Sequence, residues 1–240
     1  MAIKEITYNG NSFKISYEIL NPSSKKDIIF LHGWGSDKEV SKLGFKHTIP
    51  SFRHIYIDMP GFGKSTNNTI LTTDNYYEIM KLFLTDIGAR LDVVVGHSFG
   101  GKVATLLKPK LLVLLSSAGI VPTKSFKVRF KIKLFKFLKP LGVGRFYKLF
   151  ASKDVDNMSQ NMYETFKNVV DEVFNQEFQN YQGKTLIFWG KQDTATPLLS
   201  GKTIHNLINK SKFYPLLGDH YFFLNKTNSN FIAKEIDDNY

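Results

Sequence analysis

The sequence contains no cysteine. This absence excludes disulfide-bonded scaffolds, thiolate zinc sites, iron–sulfur clusters and a cysteine nucleophile, and it fits a reducing compartment. The sequence also lacks any apolar run near the ~18–20 residues that a membrane span requires. At the N-terminus no long apolar core follows a basic start, so no secretory signal is recognised. These absences together predict a cytoplasmic protein.

The size and composition are those of a globular protein. The 240 residues allow one or two domains, at roughly 100–200 residues per domain. Apolar residues make up 42% of the chain and charged residues 22%, which excludes disorder along its whole length. The 32 lysines and arginines outnumber the 21 acidic residues and give a net charge of +11. A charge of this sign favours acidic partners: nucleic acid, anionic lipid or an acidic protein.

The positive charge is concentrated in the middle of the chain. Nine basic residues and no acidic residue lie at positions 121–150, whereas acidic residues predominate at positions 154–182. Apolar residues in both stretches recur at helical spacing, with one helical pattern over Met158–Phe178. We therefore interpret residues 121–182 as an inserted helical unit. Its basic residues are Lys124, Lys127, Arg129, Lys131, Lys133, Lys136, Lys139, Arg145 and Lys148.

Outside this insert, strand and helix patterns alternate. Two alternating runs joined at Asn9-Gly10 predict an antiparallel hairpin. Short apolar runs without alternation are typical of parallel strands buried on both faces. Together with the helical patterns between them, they predict an α/β fold with a mainly parallel sheet and helices on both faces. The runs are Ile28–Leu31, Ile55–Ile57, Val93–Val95, Leu111–Leu115 and Leu186–Trp189; the helices are Asp74–Ile87 (capped by Thr73 or Asp74), Ser98–Leu107, Pro197–Ile208 (capped by Thr196) and Phe222–Ile236.

A candidate nucleophile follows one of these strands. The residues after Val93–Val95 read Gly-His-Ser-Phe-Gly, with the serine at Ser98 and a helical pattern behind it. This is the G-x-S-x-G nucleophile elbow in its strand–turn–helix context. The tight turn requires small neighbours, and the helix N-terminus favours negative charge that develops on an attacked carbonyl.

A serine hydroxyl is a weak nucleophile and needs a base close by. Among six histidines, His220 lies after a further apolar run, Phe213–Leu217, and before the last helix, where it can reach the elbow. The base in turn needs an acid that fixes its tautomer. Asp193, at the end of the Gly190–Asp193 segment that follows the Leu186–Trp189 strand, is our candidate. Asp219 is the rival, although side chains adjacent in sequence usually diverge.

Two backbone amides are candidates for an oxyanion hole. The N–H of Phe99 follows the nucleophile directly, where such a donor is needed. The loop after Ile28–Leu31 reads His-Gly-Trp-Gly, and from it we assign the N–H of Trp34 as the second donor.

Taken together, the sequence resembles the α/β-hydrolase superfamily over nearly its whole length. The order Ser98, Asp193, His220 is that of its catalytic triad. The resemblance implies a core of residues 1–120 and 183–240, with residues 121–182 as a helical lid inserted after the sixth strand. Within the superfamily the chain looks most like carboxylesterases of the pimeloyl-carrier-protein methyl ester esterase type. The matching landmarks are His32–Gly35, Asp58–Ser65, Gly96–Gly101, Gly190–Asp193 and Gly218–His220.

The resemblance predicts a serine hydrolase that cleaves a carboxylic ester, or a similar acyl compound, through an acyl-enzyme. The lid and the neighbourhood of Met59, Phe62, Ile120 and Val121 are expected to shape an apolar acyl pocket. Similar enzymes hydrolyse a carbon–carbon bond in ring-opened dienoates with the same triad, and their carboxylate substrates need a buried cation. A non-catalytic ligand receptor is a further alternative. Related dehalogenases and epoxide hydrolases carry aspartate at the nucleophile position, so Ser98 argues against both.

No cofactor and no metal is expected, since no histidine–carboxylate spacing suggests a metal site. The Gly63-Lys64-Ser65 run is not a phosphate loop, because that pattern needs glycine where Asp58 stands. The basic run lies in no recognisable nucleic-acid module, so we expect no nucleic-acid partner. For the basic lid two interpretations stay open: a solvated helix face without a partner, or a surface that binds an acidic acyl carrier protein or else an anionic lipid surface.

Overall fold

The computed structural model describes residues 1–121 and 158–240. The nine basic residues of the expected lid lie outside the described residues. The boundaries of the lid therefore stay a prediction, and only its returning part from residue 158 onward is described below.

Eight strands form one sheet in the order β1-β2-β4-β3-β5-β6-β7-β8. β1 pairs antiparallel with β2, and β2 pairs antiparallel with β4. The other neighbours are parallel. The predicted hairpin and mainly parallel sheet are therefore confirmed. The strands are β1 Ala2–Tyr8, β2 Asn11–Leu20, β3 Lys26–Leu31, β4 Phe52–Ile57, β5 Val93–His97, β6 Leu111–Leu115, β7 Lys184–Gly190 and β8 Ser211–Leu216.

Seven α-helices are present in the described parts of the chain: α1 Lys38–Phe45, α2 Thr73–Asp86, α3 Phe99–Leu107, α4 Gln160–Val170, α5 Asn175–Asn180, α6 Leu198–Leu207 and α7 Lys226–Asn239. A 3₁₀ turn at Phe222–Leu224 precedes α7. None of these helices is long and apolar enough to cross a membrane.

Several helix ends differ from expectation. α2 is capped by Thr72, whose side chain and backbone exchange hydrogen bonds with Asn75 in a capping box, one residue earlier than expected. The N-cap of α6 is Pro197 and not Thr196. The pattern over Met158–Phe178 divides into α4 and α5. The last pattern also divides, because the Asn225 side chain accepts from the amides that begin α7.

Helices cover both faces of the sheet. Along β3, Ile29 and Leu31 belong to one core cluster, whereas Ile28 and Phe30 belong to the other. The first cluster also contains apolar residues of α2, α3, α4 and α6, and the second contains those of α1 and α7. Because successive strand residues point to opposite faces, burial on both sides explains the apolar runs without alternation. The carboxyl ends of β5, β7 and β8 lie at one edge, where α/β sheets bind ligands.

Candidate active site

Ser98 occupies a strained turn between β5 and α3. Its φ of +50° lies in the left-handed region that side chains other than glycine rarely adopt. Gly96 and Gly100 flank it, and a Cβ at either position would collide with neighbouring backbone. The turn is fixed to the end of β6, because the Ser98 amide donates to the Leu115 carbonyl at 3.1 Å. The predicted elbow geometry is thus present.

Asp193 and His220 meet in the loops after β7 and β8. The Nδ1 atom of His220 lies 2.8 Å from Oδ2 of Asp193. Oδ1 of Asp193 accepts from the amides of Ala195 and Thr196, each at 2.9 Å. Burial raises the pKa of Asp193, but the hydrogen bonds from His220 and the Thr196 backbone outweigh burial and lower the pKa to about 2. The Asp193 carboxylate is therefore ionised in the folded protein at neutral pH.

Asp219, the rival acid, points elsewhere. Its side chain is exposed, and Oδ1 accepts from the Tyr221 amide at 2.8 Å. The sequence expectation that neighbouring side chains diverge therefore agrees with the geometry, and Asp193 is the carboxylate that holds the His220 ring.

His97, the residue before Ser98, contacts His220 directly. The two ring centroids lie 4.5 Å apart, and Nε2 of His97 lies 3.0 Å from the His220 carbonyl oxygen. Because a carbonyl only accepts, Nε2 carries the proton. Burial, and next the charge of His220, lowers the pKa of His97 to about 3. His97 is thus a neutral ring that joins the elbow to the loop carrying His220, a contact that the sequence analysis did not anticipate.

Trp34 and Phe99, the expected oxyanion donors, border the same cavity as Ser98. Phe99 is the first residue of α3, where backbone N–H groups have no acceptor within the helix. The loop of Trp34 is held by the buried His32, whose Nδ1 lies 2.8 Å from the Gly33 carbonyl oxygen. His32 Nε2 accepts from the Met59 amide at 3.0 Å, so the ring is neutral. Burial lowers its pKa accordingly.

The cavity beside Ser98 has a volume of about 330 Å³ and is mainly apolar. Two of the four expected pocket residues, Ile120 and Val121, line it. The full lining among the described residues is Trp34, Ser98, Phe99, Ala118, Gly119, Ile120, Val121, Phe166, Val169, Val170, Asp171, Ala195 and Thr196.

The other two expected pocket residues, Met59 and Phe62, belong to the core and are not among these lining residues. Met59 is fully buried, and the Phe62 ring packs edge-on against Trp34 with centroids 4.8 Å apart. Phe62 therefore packs against the Trp34 side chain from the core. The lid was expected to shape the pocket, and α4, in its described part, supplies Phe166, Val169 and Val170 to the wall. The sequence analysis did not name these residues, although their helical spacing is the signal for them.

The Asp58–Ser65 landmark has a structural role. The buried Asp58 carboxylate lies 2.6 Å from Nζ of Lys38 and accepts from the amides of Lys38 and Lys64. Gly63 has a φ of +54°, and a Cβ there would collide with this carboxylate. The loop therefore wraps an ion pair. No group of three metal-ligating side chains occurs in the described ranges.

Residues 28–206 match the alpha/beta hydrolase family. The chain belongs to this family. It is 25% identical to the uncharacterized hydrolase YugF of Bacillus subtilis over 89% of each chain. It is 31% identical to a pimeloyl-[acyl-carrier protein] methyl ester esterase of Photobacterium profundum, but over only 40% of this chain and 37% of that one.

The fold resembles that of an esterase from Exiguobacterium antarcticum, with a TM-score of 0.73, 20% identity and coverage of 94% and 96% of the two chains. It equally resembles a meta-cleavage product hydrolase, with a TM-score of 0.71, 18% identity and 98% coverage of each. These likenesses agree with the fold, and the family match identifies an α/β hydrolase, an enzyme.

Proposed function

We propose that this enzyme is a serine hydrolase that cleaves a carboxylic ester through an acyl-enzyme intermediate. The observation that carries the proposal is the strained Ser98 turn, which borders an apolar cavity and is joined by His97 to the hydrogen-bonded pair of His220 and Asp193. A ligand receptor needs neither the strained turn nor the paired carboxylate, so these features favour an enzyme over a receptor.

In the proposed mechanism the Ser98 hydroxyl oxygen attacks the ester carbonyl, and its proton passes to Nε2 of His220. Asp193 holds the ring through Nδ1 and stabilises the imidazolium cation. The amides of Trp34 and Phe99 bind the oxyanion. His220 returns the proton to the departing alcohol. Water then attacks the acyl-enzyme with its proton taken by His220, which releases the acid and restores Ser98.

The cavity favours a neutral ester with an apolar acyl chain. Its volume lies near the lower end of the ~300–1,000 Å³ range of small-molecule pockets. Among the described lining residues the charged side chain is Asp171, an acid, and none is basic. A ring-opened dienoate carries a carboxylate that needs a cation, so the described wall favours ester hydrolysis over carbon–carbon bond cleavage.

Reaction with a fluorophosphonate probe, followed by identification of the modified peptide, tests the nucleophile. We expect one modified residue, Ser98, and no labelling of Ser98→Ala. A panel of neutral esters, carboxylate-bearing esters and dienoates then tests the substrate class. Labelling at another residue, or turnover by purified Ser98→Ala, would contradict the mechanism; preference for the dienoates would contradict the substrate class.

The partner proposal extends to an acidic acyl carrier protein, with an anionic lipid surface as the alternative. It is supported by the nine basic residues at positions 121–150 and by the name of the 31%-identical relative, an esterase of a carrier-protein ester. Electrostatic steering is screened as the Debye length falls from about 10 Å to about 3 Å between 0.1 and 1 M salt. We expect kcat/KM for a carrier-bound ester, but not for a small neutral ester, to fall with salt and on changing Lys127, Lys131, Lys133 and Lys136 to Gln. An equal response of both substrates would contradict this partner.

A further inference from the structure

Lys102 is a lysine with no solvent exposure, four residues beyond Ser98 on α3. Lysine is almost never fully buried unless it is paired. Its Nζ atom donates to the Val169 carbonyl oxygen at 2.6 Å and lies 3.1 Å from Oε2 of Glu172. The ammonium group also lies 5.7 Å from the centre of the Phe174 ring. The proposed mechanism uses none of these contacts, so Lys102 has a role other than the chemical steps.

These contacts fall at the C-terminal end of α4. The last four carbonyl groups of a helix receive no hydrogen bond from within the helix, and a cation near this end is stabilising. Lys102 supplies both a hydrogen bond and a positive charge to the last turn. Glu172, just beyond the helix, also accepts a short hydrogen bond from the Thr73 hydroxyl. The end of α4 is thus joined to α3 and to the start of α2 through one buried ammonium group and one carboxylate.

The earlier turns of α4 are held by different contacts. Asn161 Nδ2 donates to the Asn67 carbonyl at 2.9 Å, and Thr165 Oγ1 accepts from the Leu71 amide at 3.0 Å. Asn168, at the start of the last turn, donates through Nδ2 to the Leu71 carbonyl at 3.2 Å. These are neutral hydrogen bonds to the loop that precedes α2. Loss of Lys102 should therefore loosen the chain from Val169 onward and leave the helix up to Asn168 in place.

The last turn of α4 and the residue after it form most of this cavity wall. Val169, Val170 and Asp171 line the cavity beside Ser98, together with Phe166 one turn earlier. Because α3 begins directly after Ser98, the bond from Lys102 to Val169 fixes the distance between the nucleophile and this wall. The other side of the same wall is fixed at Gly119, whose carbonyl accepts from the Phe174 amide at 2.9 Å.

We propose that Lys102 is a positioning residue that holds the last turn of α4 against the nucleophile helix and so limits the length of acyl chain that the cavity accepts. The inference rests on the proposed ester hydrolysis for its functional half. Its structural half, the restraint of residues 169–174, stands independently of any substrate.

The test compares the wild type with Lys102→Met and with the double variant Lys102→Met/Glu172→Gln. The single variant leaves the Glu172 carboxylate, whose side chain is 32% exposed, without its cation; the double variant removes both charges, so that an unpaired carboxylate does not complicate the comparison. Lys167→Met is the matched control, since it removes an exposed lysine of the same helix that pairs with Glu164. The measurements are kcat/KM for p-nitrophenyl butanoate and dodecanoate, and amide hydrogen exchange over residues 158–180.

In the double variant we expect exchange at residues 170–174 to accelerate about tenfold, the scale set by one lost hydrogen bond to a charged group, with residues 160–166 unchanged. The preference for butanoate over dodecanoate should fall by a similar factor, mainly through a lower KM for the long ester. Lys167→Met should change neither quantity.

Three outcomes would overturn the proposal: unchanged exchange at residues 170–174, faster exchange along the whole of α4, or an equal loss of kcat on both esters. Failure of the ester proposal is distinguishable, because the wild type would then hydrolyse neither ester and take no fluorophosphonate label. Hydrogen exchange would still decide whether Lys102 holds the wall.

Discussion

The loops after β4 and β7 present a buried aspartate in nearly the same way. Asp58 accepts from the amides of Lys38 and Lys64, and Asp193 accepts from those of Ala195 and Thr196. Each carboxylate also bonds one side-chain nitrogen, at 2.6 Å in the first loop and 2.8 Å in the second. In both, burial raises the pKa of the carboxyl group and the hydrogen bonds outweigh it.

The two loops differ in the basic partner. Asp58 faces the ammonium group of Lys38, whose side chain is 4% exposed, whereas Asp193 faces an imidazole. An ammonium group can only donate hydrogen bonds, so the first pair is a fixed ionic contact between the end of β4 and the start of α1. An imidazole has two ring nitrogens, so His220 can bond Asp193 through Nδ1 while Nε2 is left to take part in a reaction. The same arrangement of a buried carboxylate thus has a structural role in the loop of Asp58 and a proposed catalytic role in the loop of Asp193.

The largest expected effect is on activity, which should fall far more in Asp193→Asn than in Asp58→Asn. Asp193→Asn keeps the shape of the side chain but favours the wrong tautomer of His220. We expect kcat to fall about 10⁴-fold, the scale for loss of an orienting carboxylate in serine hydrolases, with the fold retained. Ester turnover and circular dichroism measure the two quantities. If Asp58→Asn, in its folded fraction, lost as much kcat as Asp193→Asn, the division of roles would be wrong.

The second effect is on stability, and here the larger loss is expected in Asp58→Asn. Asp58→Asn removes the buried partner of the Lys38 ammonium group and leaves it 3.9 Å from the carboxylate of Glu39, whose side chain is 57% exposed. Breaking a buried pair on one side is expected to lower the free energy of unfolding by about 3–5 kcal/mol, as measured by urea denaturation. The double variant Asp58→Asn/Lys38→Met should recover much of that loss, because it removes both charges. An additive loss in the double variant would contradict the ion-pair interpretation.

The third effect uses acid to probe Asp193. A carboxyl group whose pKa is lower in the folded state stabilises the fold above its unfolded pKa of about 3.9, and this contribution is lost as the pH falls through the folded value of about 2. The shift corresponds to about 2 kcal/mol. The difference in unfolding free energy between wild type and Asp193→Asn should therefore shrink by about this amount between pH 5 and pH 2. A difference that stays constant over this range would show that Asp193 is not held as an ionised group.

Much of this arrangement could be predicted from the sequence. The unalternating runs gave the parallel strands because both faces of β3 and its neighbours are buried, and strand-end positions gave Ser98, Asp193 and His220. The local sequence pattern could not predict contacts between residues that are far apart in the sequence. Lys102 and Val169 are separated by 67 positions, and no periodicity relates them. Met59 and Phe62, expected near the pocket, pack in the core, because apolar residues after a strand can turn toward the core as readily as toward a cavity.

The smallest effect is expected at Asp219, the carboxylate next to His220 in sequence. It is exposed, and its side chain accepts from the Tyr221 amide, whereas the His220 ring is bonded to Asp193. Asp219→Asn preserves an acceptor for that amide and removes one solvated charge. We expect kcat/KM to change by less than about twofold and the unfolding free energy by less than about 0.5 kcal/mol, the range of ordinary surface substitutions. Parallel assays of Asp219→Asn and Asp193→Asn on the same ester provide the check. Greater damage in Asp219→Asn would mean that the loop after β8, and not the loop after β7, supplies the acid, because only then would charge at Asp219 control the tautomer of His220.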